Sequence, residues 1–501
     1  MKILTNYIYR CAAAAFLAIS LTGCLEKLPG DYIHESEGMK TFSDAEQTLV
    51  GIYSAYKSNA LYSGYLTLCP DIQADLVYAV KGNTNTYGRF WQWTVRSTDS
   101  EIEAVYAQLY TVIGRCNFFL EQVGELKKSL TDDNEITVLE NYTGQVYCAR
   151  ALAYSELIKC YCKAYDQTTA DEPDGGVVLR TKWTEKERVK RSTLRESYEL
   201  VISDLEKAES LLDADRNGYD APVFTKAAAK AIRARVALYT RDWETAVKYA
   251  TDVIDTKVGD LKAFDLTNAR TSEFNNLWST DSGVEIIWKV NFTVTSYGGA
   301  LGSVFLNFNR DRVYFYPDYV PAEDVLKLYT SGDLRYSSYF ATVQTGYESG
   351  LECPVLKKYY GNTQFLSNYI YHVCMPKPLR LAEQYLIRAE AYAQMGEYGK
   401  AGADLTKLRQ SRFSTGGNIS VNADNWNDVI SQERVRELYM EGFRLHDLKR
   451  WGRGFERTPQ AESQDEGSSL KISKDNALFV WPIPRNEIEA QGSEIVQNPS
   501  N

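Results

Sequence analysis

A short helical pattern recurs three times along this 501-residue chain, and the recurrence limits the folds that the chain can adopt. Apolar residues return every three or four positions through most of the sequence, which indicates amphipathic helices. In three of these segments an arginine is followed, four residues later, by a tyrosine, with small residues between them. The pairs are Arg150 and Tyr154, Arg235 and Tyr239, and Arg388 and Tyr392. Residues four apart lie on one helix face, and small residues there let a neighbouring helix approach closely.

Two of these segments are followed by a turn and a second helical start, in which an aromatic residue precedes an alanine by three positions. The two starts are Trp243 to Ala246 and Tyr398 to Ala401. The combination is typical of a tetratricopeptide-like repeat, a helix pair that packs on the next pair. Because long segments without the pattern separate the copies, we predict a mostly α-helical fold with an irregular tetratricopeptide-like scaffold. The predicted helices cover residues 44–57, 100–123, 135–161, 194–212, 226–240, 243–255, 380–395, 398–412 and 426–451.

Two loop-rich insertions interrupt the predicted scaffold, at about residues 70–95 and 257–371. The first combines Gly, Asn and Thr with aromatic residues, and the second mixes short β-like runs, at 284–290 and 313–316, with Gly, Asn, Ser and Tyr. A further polar loop is predicted at 458–469. Since connecting segments on a rigid scaffold form the variable surface of a protein, we expect the functional residues in these insertions.

The N-terminal residues have the composition of an export signal. Lys2 and Arg10 supply positive charge, and the apolar run at 11–21 is too short for a bilayer, which needs about 20 residues. The following Leu21-Thr22-Gly23-Cys24 resembles the bacterial lipobox, in which cleavage precedes a cysteine that carries lipid. No later run of 18 apolar residues occurs. We predict a lipoprotein signal at 1–23, lipidation of Cys24, a tether at 24–40 and a single domain at 41–501.

The composition argues against several classes of function. The chain carries 56 Lys and Arg against 66 Asp and Glu, a net charge of −10, which disfavours a nucleic-acid partner. With three His, a His-rich metal site is not expected. The stretch from Asp213 to Gly218 starts like a calcium-binding loop, but its twelfth position is Phe224, where that loop requires Glu. We therefore predict neither a metal nor a cofactor.

Motifs of common enzymes are absent, since the sequence contains no GxSxG, HExxH, P-loop or GxGxxG pattern. His446 lies beside Asp447 in a segment dense with charge, so we predict a solvated or ion-paired helix face there and no catalytic triad.

Glu433, Glu437 and Glu441 recur every four residues, and a pair of carboxylates is what a glycoside hydrolase requires. Three like charges on one helix face repel one another unless cations lie between them. We predict a buried or half-buried Arg–Glu lattice that fixes the helix, and therefore no enzyme activity. The cations expected to interleave are Arg434, Arg436 and Arg444.

Aromatic and polar side chains in the insertions point most directly to a ligand. A sugar offers an apolar C–H face, which an aromatic ring covers, and a rim of hydroxyls, which amide and guanidinium groups bind. Trp93 is expected to pack in the helical core instead. The candidate ligand-binding residues are Asn83, Asn85, Tyr87 and Trp91 in the first insertion, and Tyr297 and Asn307 in the second.

The segment from Ile430 to Gly452 resembles the carboxy-terminal helix signature of the SusD/RagB family, the surface lipoproteins of Bacteroidetes nutrient-uptake systems. Its matching residues are Glu433, Arg434, Glu437, Glu441, Gly442, Arg444, Asp447, Arg450 and Trp451. Supporting segments lie at 144–154, 226–231, 482–484 and 497–499, so that the resemblance covers almost the whole predicted domain.

The resemblance implies four irregular tetratricopeptide-like helix pairs and a place on the outer face of the outer membrane. A protein of this kind caps a SusC-like TonB-dependent transporter, delivers oligosaccharide to it and is not an enzyme. Its repeat side faces the transporter and its inserted loops face the ligand. The carboxy-terminal signature is structural in the family, and the ligand residues vary, so none carries over to this chain.

Three alternatives remain open on the sequence. The first is a peptide-binding lipoprotein of the same fold. The second is a glycoside hydrolase, and the third is a purely structural lid without a ligand.

Overall fold

The computed structural model describes residues 38–183, 189–308, 313–347, 351–460, 467–490 and 492–500. The predicted signal at 1–23, the lipidation site Cys24 and the tether as far as residue 37 lie outside these residues. The first helix starts at Phe42, after a capping box in which Thr41 and Asp44 each bond the other's backbone N–H. The predicted start of the domain at residue 41 therefore coincides with a helix N-terminus.

Helices make up about 48% of the structure, so the predicted mostly α-helical class is confirmed. The helices are α1 Phe42–Ala55, α2 Tyr65–Gln73, α3 Gly88–Trp91, α4 Ser100–Ser129, α5 Asp133–Tyr161, α6 Leu194–Leu211, α7 Lys226–Tyr239, α8 Trp243–Ile254, α9 Ser272–Ser279, α10 Ser303–Leu306, α11 Glu323–Leu328, α12 Arg335–Tyr339, α13 Thr363–Leu366, α14 Leu381–Gln394, α15 Tyr398–Gln410, α16 Trp426–Glu437, α17 Arg444–Trp451 and α18 Arg485–Glu489.

The strands are short and pair in twos, all antiparallel. They are β1 Val77–Ala79, β2 Lys257–Val258, β3 Leu261–Lys262, β4 Ile286–Trp288, β5 Tyr319–Pro321, β6 Phe340–Gln344, β7 Glu352–Leu356, β8 Leu379–Arg380, β9 Phe455–Arg457 and β10 Leu470–Ile472. The pairs are β1 with β5, β2 with β3, β4 with β8, β6 with β7, and β9 with β10.

The long helices form the predicted helix-pair scaffold. Helix α1 packs against α4, and each helix from α4 to α7 packs against the next. Helix α8 then packs against α14, which follows it only after the second insertion, and α14 packs against α15. The four pairs are therefore α1 with α4, α5 with α6, α7 with α8, and α14 with α15.

The arginines of the repeated pattern each form a buried or half-buried ion pair with another scaffold helix. Burial leaves a guanidinium without water, so a carboxylate opposite it is required. The pairs are Arg150 with Asp204 at 2.7 Å, Arg235 with Glu383 at 2.6 Å, and Arg388 with Asp404 at 2.7 Å. The pattern thus marks the contacts that hold the stack in register.

The two predicted insertions extend from the helical scaffold and pair with each other through short strands. Strand β4 pairs with β8, Trp288 opposite Leu379, so that the second insertion closes at the start of α14. Strand β1 of the first insertion pairs with β5 of the second, with Tyr78 opposite Val320. The first insertion is shorter than predicted, because Pro70 lies inside α2. Of the two predicted β-like runs, 284–290 contains β4, whereas 313–316 contributes only isolated bridges through Phe315.

The predicted single helix at 426–451 is wrong, because the chain turns sharply between α16 and α17. Met440 and Gly442 adopt the left-handed conformation, with φ of 57° and 84°. The carboxylate of Asp71 accepts hydrogen bonds from the backbone N–H groups of Gly442, at 3.0 Å, and Arg444, at 2.8 Å. A Cβ on Gly442 would lie 2.4 Å from the carbonyl oxygen of Leu66, so glycine is required there.

Candidate functional site

The turn at residues 83–87 is fixed by the segment that follows α10. Thr84 donates from its backbone N–H, at 2.7 Å, and from its hydroxyl, at 2.9 Å, to the carboxylate of Asp318. The N–H of Asp318 donates to the carbonyl of Val304 at 2.8 Å, and the hydroxyl of Tyr319 donates to the carbonyl of Thr86 at 2.6 Å. The first insertion is therefore held directly on the second.

The loop after α1, together with the first residue of α2, connects this turn to a Gly-Gly turn of the second insertion. The ring of Tyr65 meets that of Tyr87 edge to face, with centroids 5.8 Å apart. On the other side, the N–H of Gly299 donates to the hydroxyl of Ser63 at 2.9 Å. A Cβ on Gly298 would lie 2.2 Å from the carbonyl oxygen of Lys57, so only glycine allows this close approach.

Tyr297 precedes the Gly-Gly turn and packs on the segment around α13. Its ring centroid lies 6.2 Å from that of Phe365, and its side chain remains 45% exposed. Tyr369, three residues beyond α13, is 79% exposed, and Tyr360 is 52% exposed. The ring of Tyr360 contacts that of His372, whose carbonyl accepts from the N–H of Gly302 at 3.2 Å.

These loops form one surface, which we call the aromatic loop surface. Three of its five rings are exposed and two are half-buried. An exposed tyrosine combines an apolar face with a hydroxyl group, so the surface suits a ligand that is half apolar and half hydrogen-bonding. It is defined by Tyr65, Tyr87, Tyr297, Tyr360 and Tyr369.

Four of the ten described non-glycine residues with positive φ lie in this surface or directly beside it. Asn85, Tyr87, Tyr369 and His372 adopt φ of 62°, 58°, 60° and 62°, in the left-handed region that disfavours side chains. Such conformations cost about 1–3 kcal/mol each and persist where the surrounding structure enforces them, often at functional sites. The strain therefore agrees with a binding role for these loops.

Two predicted ligand residues shape the turn from which Tyr87 projects. The amide of Asn83 donates to the carbonyl of Val80 at 2.6 Å and accepts from the N–H of Asn85, and its side chain is half-buried. Asn85 is exposed, but its side chain folds over Gly88, where a Cβ would lie 1.9 Å from its Oδ1. Tyr87, a third candidate of this insertion, is half-buried against Tyr65.

The expectation that Trp91 is presented to a ligand is wrong, because its side chain is 0% exposed. The guanidinium of Arg457 lies 3.5 Å from the ring centroid, and the rings of Tyr78 and Tyr319 pack against it. Trp93 is buried as predicted, and its indole N–H donates to the carbonyl of Gln73 at 2.6 Å.

The two predicted residues of the second insertion lie at its surface. Tyr297 belongs to the aromatic loop surface, and Asn307 is exposed at the end of α10. The carbonyl of Asn307 accepts from the N–H of Tyr316 at 2.6 Å, which places it beside the segment that anchors the 83–87 turn.

Sequence reasoning missed Tyr65, Tyr360 and Tyr369. Tyr360 and Tyr369 lie in a Gly- and Asn-containing stretch of the predicted second insertion, a composition that could have singled them out. Tyr65 opens a helix, and no local pattern distinguishes it from a core tyrosine.

The predicted Arg–Glu lattice is confirmed, although most of its cations come from other segments. Glu437 accepts from Arg412 at 2.9 Å and from Arg335 and Arg380, each at 3.0 Å. Glu433 pairs with Arg335 at 2.8 Å, with Arg436 at 2.6 Å and with Arg409 at 2.9 Å. Burial acts to raise the pKa of Glu433, but the surrounding guanidiniums lower it to about 2.

The remaining signature residues pair around this lattice. Glu441, in the turn between α16 and α17, binds Arg380 at 2.7 Å and Lys358 at 2.5 Å. These residues are buried and mutually neutralised, so they form a structural element and present no free carboxylate for catalysis. The other pairs are Arg434 with Asp447 at 2.7 Å, Arg444 with Asp75 at 2.6 Å, Arg450 with Asp447 at 2.9 Å, and the indole of Trp451 with Glu390 at 2.7 Å.

Of the two alternatives predicted around His446, the helix face is ion-paired through Asp447 and is not solvated, and the His446 side chain itself is buried, with 1% exposed. Burial, together with nearby Lys159 and Lys449, holds its pKa well below the ordinary value, so the imidazole is neutral. Its neighbour Asp447 binds Arg434 and Arg450 instead, which is incompatible with a catalytic triad.

The described part of the chain lacks two features of other classes of site. Among those residues, no group of three or more His, Cys, Asp or Glu is arranged to hold a metal ion. No helix there combines the length and apolarity needed to cross a membrane.

The sequence matches two descriptions of one protein family. Residues 31–238 match the group described as "Starch-binding associating with outer membrane", which is SusD-like, and residues 292–500 match the "SusD family".

Two curated relatives come from Formosa agariphila. SusD-like protein P38 is 24% identical over 87% of this chain and 89% of its own length, and SusD-like protein P25 is 23% identical over 90% of each.

Solved structures share the fold over nearly the whole chain. A SusD superfamily protein from Bacteroides thetaiotaomicron is 25% identical, with a TM-score of 0.78 over 92% of this chain and 100% of that one. A SusD superfamily protein from Bacteroides vulgatus has a TM-score of 0.77 at 21% identity, over 92% and 99%. A "Laminarin binding SusD-like protein" has a TM-score of 0.71 at 20% identity, over 92% and 100%.

Proposed function

Because this chain belongs to the SusD/RagB family, we propose that it is a surface lipoprotein that captures oligosaccharides and delivers them to a SusC-like TonB-dependent outer-membrane transporter. The observation that carries the proposal is the aromatic loop surface, on which Tyr297, Tyr360 and Tyr369 are 45%, 52% and 79% exposed. Exposed tyrosines on loops that pack against one another offer stacking faces at little entropic cost.

The geometry of the aromatic loop surface supports ligand binding without catalysis. Exposed rings cover the C–H faces of sugar rings, and the amides and hydroxyls around them replace water at the sugar hydroxyls. An open surface of this kind supports micromolar to millimolar affinity, about −8 to −4 kcal/mol. The carboxylates of the signature are bound to arginine, so no pair of them serves as acid and nucleophile.

Two comparisons support a carbohydrate ligand. The N-terminal match carries the description "Starch-binding associating with outer membrane", and a protein of the same fold binds laminarin. The family's general association with SusC-like transporters supports the proposed delivery. Since the chain supplies a scaffold and a loop surface, we assign the scaffold to transporter contact and the loops to the ligand.

We expect the protein to bind at least one polysaccharide without cleaving it. Migration through native gels that contain starch, laminarin, mannan, arabinan or xylan should be retarded in at least one gel. Incubation of the protein with each of these polysaccharides should release no reducing ends over many hours. Turnover of the retained polysaccharide would indicate a glycoside hydrolase, and retention of oligopeptides alone would indicate a peptide carrier.

We further propose that Cys24 carries the lipid that anchors the protein to the outer membrane. Lipidation with two or three acyl chains buries many methylenes, at about 0.8 kcal/mol each, which suffices for stable attachment. Cys24→Ser should therefore shift the protein from the membrane fraction to the soluble fraction, as measured by immunoblot. The control is Cys69→Ser, because that thiol is buried in the core and should leave the membrane fraction unchanged. If Cys24→Ser and the unmodified protein divided equally between the membrane and soluble fractions, the proposed lipid anchor at Cys24 would be contradicted.

A further inference from the structure

We infer that the ligand class is an uncharged oligosaccharide, an inference that rests on the proposed function. Residues 290–308 and 359–376 contain no Asp, Glu, Lys or Arg, in a chain of which 24% is charged. These two runs supply Tyr297, Tyr360 and Tyr369, the three exposed rings of the aromatic loop surface. A neutral, hydrogen-bonding surface around stacking rings is complementary to a neutral sugar.

The two uncharged runs pack on each other. Phe292 and Tyr297 contact Phe365, with ring centroids 6.4 and 6.2 Å apart, and Gly302 donates its N–H to the carbonyl of His372. The runs also expose neutral hydrogen-bonding side chains. Six of these are Asn291, Thr295, Ser296, Gln364, Ser367 and Asn368.

Charged groups beneath this surface are neutralised within the protein. The carboxylate of Asp281 accepts from Lys377 at 2.6 Å and from the amide of Asn362 at 2.8 Å, and all three are buried. His372 is 7% exposed, and burial lowers its pKa, which favours the neutral imidazole. These groups therefore present no net charge to a ligand.

One cation lies at the border of the two runs. The ammonium of Lys57 donates to the hydroxyl of Ser296 at 3.0 Å and to its carbonyl at 3.4 Å, so the loop holds it in place at the edge of the surface while it keeps its positive charge. Arg310, Asp311 and Arg312 lie between the runs in the sequence and fall outside the described residues.

An acidic sugar is disfavoured on such a surface for two reasons. A carboxylate or sulfate that leaves water for two runs without a charged side chain loses solvation that neutral groups restore only in part. At long range, the net charge of −10 repels a polyanion as it approaches. Charged peptides meet the same desolvation cost, so the surface also favours a glycan over a peptide.

The test compares neutral and acidic glycans on the full chain purified in detergent. Affinity electrophoresis and calorimetry would use starch, laminarin, mannan, arabinan and xylan against polygalacturonate, alginate and chondroitin sulfate, together with acidic and basic oligopeptides. We expect retention by a neutral glycan, with a Kd that changes less than twofold between 50 and 500 mM NaCl, because no ion pair contributes.

The second part of the test introduces a charged side chain into the aromatic loop surface. Gln364→Lys should raise affinity for polygalacturonate at least fivefold at 50 mM NaCl, and 500 mM NaCl should abolish the gain. The matched control is Gln364→Met, which has a similar size and no charge. No gain in the lysine variant would place the bound glycan elsewhere and overturn the assignment of the ligand to this surface.

The outcomes separate this inference from the function on which it rests. Tighter binding of an acidic glycan than of any neutral one, weakened by salt, overturns the uncharged class and leaves glycan capture intact. Binding of peptides alone, or of no glycan in the panel, overturns glycan capture itself.

Discussion

Glu437→Gln should destabilise the protein by about 3–5 kcal/mol, because it removes one member of a buried ionic cluster and leaves the others unneutralised. The Glu437 carboxylate accepts from Arg335, Arg380 and Arg412, and all four side chains are 0–1% exposed. The amide of glutamine keeps the shape and one acceptor oxygen but not the charge, so the guanidiniums lose part of their compensation. The unfolding free energy from urea titration measures the loss.

A glutamate outside the cluster provides the control. Glu125 lies on α4, its side chain is 80% exposed, and it pairs with Lys128. Exposed ion pairs contribute about 0–1 kcal/mol, so Glu125→Gln should leave the unfolding free energy nearly unchanged. Equal losses from the two substitutions would show that the buried cluster contributes no more than a surface pair.

The cluster also predicts a pH dependence. Its guanidiniums lower the pKa of Glu433 to about 2 and the pKa of Glu437 further, against about 4.3 in an unfolded chain. Since the folded pKa values are lower, the folded state binds fewer protons, and stability falls as protons bind. This contribution is complete above about pH 5.5 and falls progressively at lower pH, and the part that comes from Glu437 is fully lost only below about pH 2. In Glu437→Gln the loss between these pH values should be smaller than in the unmodified chain.

The scaffold could be predicted because its determinants are local. Arg150, Arg235 and Arg388 lie four residues before a tyrosine on helices whose apolar period is visible in the sequence, and each forms the ion pair that a buried arginine requires. The break between α16 and α17 could not be predicted in the same way. It depends on Asp71, whose carboxylate binds the backbone of the turn from a helix near the other end of the chain.

The candidate site could be predicted only in part, since exposure in a loop depends on distant contacts. The insertions were located by composition, and Tyr297 was found because it adjoins a Gly-Gly turn. Trp91 and Trp93 are two residues apart, and this spacing does not reveal which of the two rings is buried. Both rings are buried in the structure. Tyr369 is exposed because the chain turns there with φ of 60°, a conformation that no neighbouring glycine or proline signals.

Removing two rings of the aromatic loop surface should abolish most of the glycan retention. Tyr297→Ala combined with Tyr369→Ala deletes side chains that are 45% and 79% exposed, so the fold should persist. If each ring contributes about 0.5–1.5 kcal/mol by stacking, the pair accounts for about 1–3 kcal/mol, roughly a 5- to 150-fold loss of affinity. Affinity electrophoresis against the polysaccharide that the unmodified protein retains measures the change.

Two controls separate stacking from other effects of the substitutions. Tyr219→Ala removes a ring that is 54% exposed and lies outside the aromatic loop surface, so retention should not change. Changing Tyr297 and Tyr369 to phenylalanine keeps both rings and removes only the hydroxyls, so retention should fall much less than with alanine. Retention that survives the double alanine substitution would place the glycan on another surface, whereas an equal loss with phenylalanine would assign the binding to the hydroxyls and not to the ring faces.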